Sequence, residues 1–145
     1  LATNSLNMFR TIGARWEEAN SLHVLGDIKN QQNNALEAER LFNQCLAIFT
    51  DINSVRDTET VSRKLALIHQ ENGNFSEAMK LFSYSLEKTR MLGNRLLEAD
   101  RLVDLAILAQ ARNDPDEQRR MNTEAVRIWR EIGQPIDQWY IDNGY

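Results

Sequence analysis

A step of forty residues runs through this chain and restricts it to architectures built by repetition. Leu25, Leu65 and Leu105 stand forty apart, as do Ile28, Ile68 and Leu108; Leu41, Leu81 and Met121; and Leu46, Leu86 and Val126. Gly13, Asn53, Gly93 and Gly133 keep the same step, each after an apolar Ile12, Ile52, Leu92 or Ile132. A gapless register of this kind marks one supersecondary unit used several times, each copy burying its apolar face against its neighbours.

Within a unit the apolar spacing is helical, and it reads as two helices. The first runs roughly from Arg15 to Gln32, with copies from Val55 to Asn72 and from Arg95 to Arg112, and carries Leu22, Leu25 and Ile28, or Val61, Leu65 and Ile68, on one face. The second opens at Asn34, Asn74 and Asp114, whose side-chain oxygens suit the free amides of a first turn; Glu37, Glu77 and Glu117 are placed to reach back to the cap residue's own amide. Pro115 at the first helical position of the third copy agrees with that start. Leu41, Phe42, Leu46 and Phe49, then Leu81, Phe82 and Leu86, then Met121, Ala125, Val126 and Trp129 form the expected buried stripe of the second helices. Gly26, Ala66 and Ala106 in the first helices, with Ala38 and Ala78 in the second, let paired backbones approach closely.

These residues resemble the tetratricopeptide repeat family. Its L-G is met by Leu25-Gly26 and in relaxed form by Leu65-Ala66 and Leu105-Ala106; its A-x3-F is met by Ala38 to Phe42 and Ala78 to Phe82; its turn glycine is Gly73, replaced by Asn33 and Asn113. Leu22, Ser62 and Leu102 stand where the family has a bulky aromatic, Lys29, His69 and Ala109 where it has Tyr, and Gln118 and Asn122 depart from the pattern in the third copy. The forty-residue period resembles the family's longer-helix variant. The resemblance implies an all-α, right-handed α-solenoid of antiparallel helix pairs. One domain is expected: 1–13 as the end of an earlier repeat, repeats over 14–53, 54–93 and 94–133, and 134–145 as the start of a following helix. Leu1, Leu6, Phe9 and Ile12 fall in phase with Leu41, Leu46, Phe49 and Ile52, so the chain is expected to be a piece of a longer protein, with ends that act as caps or associate with another copy.

Composition narrows the function classes. A net charge of −4 with both signs interspersed offers no clustered cations for phosphates, so nucleic acid is not an expected partner. No stretch approaches the roughly 18 apolar residues of a membrane span. One cysteine, Cys45, excludes an internal disulfide and points to a reducing, cytoplasmic setting; it aligns with Ser85 and Ala125 at a small core position. His23 and His69 lie in different repeats without metal-ligand spacing, the glycines form no phosphate loop, Trp129 and the phenylalanines repeat at core positions, and Arg119-Arg120 reads as a solvated face. No catalytic residue, cofactor or metal is expected.

Function is therefore sought on a surface. The resemblance implies that the first helices line the inside of a curved array that takes a protein or peptide, another domain of the same chain included. Steps of four, three, four and three place Trp16, Asn20, His23, Asp27 and Asn30 on one face of the first; Arg56, Thr60, Arg63, Leu67 and Gln70 on the second; and Leu96, Asp100, Val103, Ile107 and Gln110 on the third. Arg56 and Arg63 can hold a carboxylate, while Leu67 and Ile107 can instead pack between first helices. Family members that grip a terminal carboxylate use Lys, Asn and Arg; the matching positions here are His23, Asp27, Thr60 and Lys64, so that clamp is not expected. The reading is a binding scaffold or adaptor, with the sensor arm of a larger bacterial ATPase or transcription activator as the alternative.

Overall fold

The computed structural model describes residues 2–145, and the side chains of 4–145; Leu1 and its expected place in an earlier repeat lie outside the described residues. Among the described residues seven helices follow one another: α1 Ala2–Gln31, α2 Ala35–Asp51, α3 Val55–Glu71, α4 Phe75–Leu92, α5 Arg95–Ala111, α6 Pro115–Glu131 and the short α7 Gln138–Asp142. No strand occurs among the described residues. The helices pair as α1 with α2, α3 with α4 and α5 with α6, and each pair stacks on the next through α2 on α3 and α4 on α5, an all-α solenoid.

The turns repeat at half the period. Asn33, Asn53, Gly73, Gly93, Asn113 and Gly133 are all left-handed, with φ between 57° and 77°. Glycine adopts this conformation without a Cβ clash, and asparagine is the side chain that tolerates it best. Around Asn33 the amides of Asn33 and Asn34 return to the carbonyls of Asn30 and Lys29 at 3.0 and 2.9 Å, closing the preceding helix. The next residue starts the following helix: Asn34 accepts from the Glu37 amide, Asn94 from Leu97 and Asp114 from Glu117. Asn74 makes no such bond. The reciprocal half of the expected capping box does not form. The amides of Asn34, Asn74 and Asp114 already bond Lys29, His69 and Ala109 of the preceding helix, so Glu37, Glu77 and Glu117 turn to Arg40, Lys80 and Arg120 instead.

The same rule corrects the expected boundary at Gly13. Helix α1 runs through it without a turn. Each turn between α1 and α6 sets a residue of the capping type after the left-handed one, as in Asn33-Asn34, Asn53-Ser54 and Gly93-Asn94, whereas Gly13 is followed by Ala14, the strongest helix former and no cap. Residues 4–14 are exposed, so no packing enforces a reversal either.

Two core clusters follow from the stacking. One joins Ala38, Phe42, Cys45 and Phe49 of α2 to Val61, Leu65 and Ile68 of α3; the other joins Ala78, Phe82 and Leu86 of α4 to Leu102, Leu105 and Leu108 of α5 and to Met121, Ala125 and Ile128 of α6. Leu25 and Ile28 are corrections. They occupy the register of Leu65 and Ile68, yet are 47% and 42% exposed. That register faces the second helix of the preceding pair, and among the described residues none precedes α1.

At the other end, 134–145 does not extend as a long first helix. Pro135 delays the start, Asp137 caps Trp139 at 2.8 Å, and the helix stops after Asp142. The segment folds against α6: Tyr140 lies edge-on to Trp129 with centroids 5.2 Å apart, and Asn122 donates to the Tyr145 hydroxyl at 3.3 Å. Arg119, expected on a solvated face, lies over the Tyr145 ring at 5.2 Å.

Gly26 shows how tightly a pair closes. A Cβ there would sit 2.5 Å from the ring of Phe42, which is fully buried. Gly26→Ala gains about 1 kcal/mol in helix propensity, but displacing a packed ring costs about 1–3 kcal/mol. The expected result is net destabilisation in thermal unfolding, partly recovered by adding Phe42→Leu.

Candidate functional site

Polar side chains join the first helices across one face. From α1, the Trp16 indole donates to Asp57 of α3 at 2.8 Å. Lys64 of α3 donates to both carboxylate oxygens of Asp27 at 2.7 and 2.9 Å and lies 2.8 Å from His23 Nε2. Burial, then the Lys64 charge, lowers the His23 pKa, so the neutral ring accepts from the ammonium. From α3, Arg63 forks onto Asp104 of α5 at 2.7 and 3.1 Å, a bond that raises the guanidinium's pKa further. These bridges place the stripes of α1, α3 and α5 side by side.

Beneath them lies a buried chain of charges absent from the sequence expectation. Arg101 of α5, with its side chain 10% exposed, bonds Glu59 of α3 at 2.5 Å and Asp104 at 2.8 Å. Glu59, 3% exposed, also accepts from the Ser85 hydroxyl of α4 at 2.9 Å. The signal was present in the register: Glu59 takes the place of Ala19 and Ala99, and Arg101 that of Val61, all fully buried. A charge at a position that its copies fill with small or apolar groups requires a partner on the adjacent copy.

The fifteen expected surface residues divide accordingly. Trp16, His23, Asp27 and Arg63 belong to the bridges just described. Asn20 is half-buried, and Asn30, Arg56, Leu96, Asp100, Ile107 and Gln110 are exposed. Thr60 turns its hydroxyl back to the Arg56 carbonyl at 3.1 Å. Leu67 and Val103 pack on the larger core cluster. Ile107, 48% exposed, does not. Gln70 keeps a buried Oε1 that no described residue partners. The structure brings Arg63, Asp100 and Val103 together with Arg101, Asp104, Trp129 and Tyr140 around a cleft of about 410 Å³. Trp129, read from sequence as packing alone, thus also reaches this cleft.

The remaining reactive groups are held in structure. Cys45 is fully buried, and burial pushes its thiol up to about 12, which removes nucleophilic thiolate near neutral pH. His69 Nε2 lies 3.5 Å from Glu39. No group of three or more metal-ligating side chains occurs among the described residues, and no helix is long and apolar enough to cross a membrane.

No family model and no curated protein sequence matches the chain. Solved structures do. Crystalline BtubC (BKLC) from P. vanneervenii superposes with a TM-score of 0.76 at 15% identity, covering 93% of this chain and 56% of that one. The N-terminal domain of stress-induced protein-1 (STI-1) from C. elegans gives 0.72 at 15% identity, covering 90% of this chain and 94% of that domain. This chain therefore spans little more than half the length of BtubC. At such identity these likenesses establish the shared fold, a stack of helix pairs.

Proposed function

We propose that the chain is a tetratricopeptide-like binding module that takes an extended or helical segment of a protein along the face shared by α1, α3 and α5. The observation that carries the proposal is the lateral bridging of that face. Trp16 to Asp57, Asp27 to Lys64 and Arg63 to Asp104 hold three helices, two of them 17 residues or about 25 Å long, in fixed relation. A face set before the partner arrives loses little ordering entropy on binding. It mixes exposed apolar groups, Ile107 and Leu96, with unpaired polar ones, Arg56 and Asn30, as interface centres do. Lys64 and Asp27 neutralise each other where a carboxylate clamp would need a free cation, which supports recognition of internal segments over chain ends. Peptides selected from a random library against the whole chain test this reading. Their binding should fall at least about tenfold with Ile107→Glu, which replaces an exposed side chain and leaves the fold intact. Binding indifferent to that change, with contacts mapping to α2, α4 and α6, would move the interaction to the outer face.

A further inference from the structure

The cleft between α3, α5 and α7 has an unbalanced charge. Four of its charges, or those joined to them, cancel in pairs: Arg63 and Arg101 carry two positive charges, and Asp104 and Glu59 accept from them and balance them. Asp104 receives three guanidinium bonds, and Glu59 is further held by Ser85. Asp100 is the remainder. It lines the same cleft yet makes no hydrogen bond or ion pair among the described residues. Burial pushes its carboxyl above the usual range; Arg101 and Arg63 oppose this and Asp104 adds to it. On the far wall stand Trp129 and Tyr140, edge to face at 5.2 Å; burial, then the Asp137 charge, raises the pKa of the Tyr140 phenol. The cleft thus presents an uncompensated carboxylate, a second one nearby and two aromatic rings.

We infer that this cleft is a subsite for a cationic side chain, a lysine or arginine of the bound segment, whose charge meets the Asp100 carboxylate while its methylenes lie along Trp129 and Tyr140. The inference rests on the binding face proposed above and names part of what that face recognises. An ammonium or guanidinium supplies the opposite charge that the cleft lacks, and partly desolvated aromatic rings attract cations as well as the apolar stem. An acidic side chain meets the reverse: Arg63 and Arg101 are already paired with Asp104 and Glu59, and Asp100 leaves the net charge negative.

The test uses the whole 15N-labelled chain and short blocked peptides identical but for a central Arg, Lys, norleucine or Glu. The Arg and Lys peptides should bind about tenfold more tightly than the norleucine peptide, shifting the Trp129 indole, Tyr140 and Val103 signals. Asp100→Asn, at an exposed position without partners among the described residues, should remove that preference by bringing the Arg and Lys affinities down to that of the norleucine peptide. Equal affinity of the norleucine or Glu peptide at these residues, or a cation preference with shifts elsewhere, overturns the subsite and leaves the binding face standing. If none of the four peptides perturbs the inner surfaces of α1, α3 and α5, the binding-face reading fails along with it.

Discussion

Replacing Arg101 by methionine is expected to destabilise the chain by about 3–5 kcal/mol, although methionine is a fair match in size and a better helix-core residue. The loss comes from what remains. Glu59, 3% exposed, would keep only Ser85 and a distant hydroxyl of Thr60, at 3.4 Å, as hydrogen-bond partners for a buried charge. Asp104 would lose one of its two guanidinium partners. Because Glu59 belongs to the second helix pair and Arg101 to the third, the effect should also appear in cooperativity: nearest-neighbour coupling holds a stacked array together, and weakening it should broaden or split the urea transition. The double change Glu59→Ala with Arg101→Val imports Ala19 and Ala99 of the first and third copies on one side and Val61 of the second on the other. It should return most of the lost stability, since replacing both members of a buried pair by apolar groups is often neutral or better. A single Arg101→Met variant as stable as the parent in urea titration followed by circular dichroism would show that the chain of charges contributes little.

Leu65→Ala is expected to cost about 2–5 kcal/mol, whereas Leu25→Ala, at the same place in the preceding copy, should cost less than about 0.5 kcal/mol. Leu65 is fully buried against Phe42, Cys45 and Phe49 of α2, so truncation leaves a cavity in a packed interface between pairs. Leu25 is 47% exposed, and its truncation removes surface already in contact with water. Two leucines at the same place in the repeat therefore answer differently. Chemical denaturation of both variants beside the parent measures the contrast. Equal losses would mean that the first copy has a cover over α1 in solution.

Much of this architecture was legible in the chain because repetition multiplies weak signals. A single Asn or Gly before a capping residue says little. Five of them at twenty-residue steps, from Asn33 to Asn113, locate every turn among α1 to α6, and the local physics of left-handed backbone and helix capping acts within a few residues. The stripe assignment of Phe42, Phe82 and Met121 to the core was equally readable, since helical periodicity alone sets which face is apolar. Gly13 misled because the step was matched without its capping partner.

What the chain's own pattern determined, then, is the helix pair, its turns and the face each helix buries, all consequences of interactions within about one turn of helix or between equivalent positions. Only the tertiary structure decided which side chains meet across neighbouring pairs: Glu59 with Arg101 and Lys64 with Asp27, some forty residues apart, and the cleft that leaves Asp100 without a partner. Those pairings depend on the offset between adjacent first helices, a distance set by how each pair packs on the next, α2 on α3 and α4 on α5, and no spacing along one chain encodes it. The exposure of Leu25 and Ile28 belongs to the same class, because burial is a property of what lies opposite a residue and not of the residue alone.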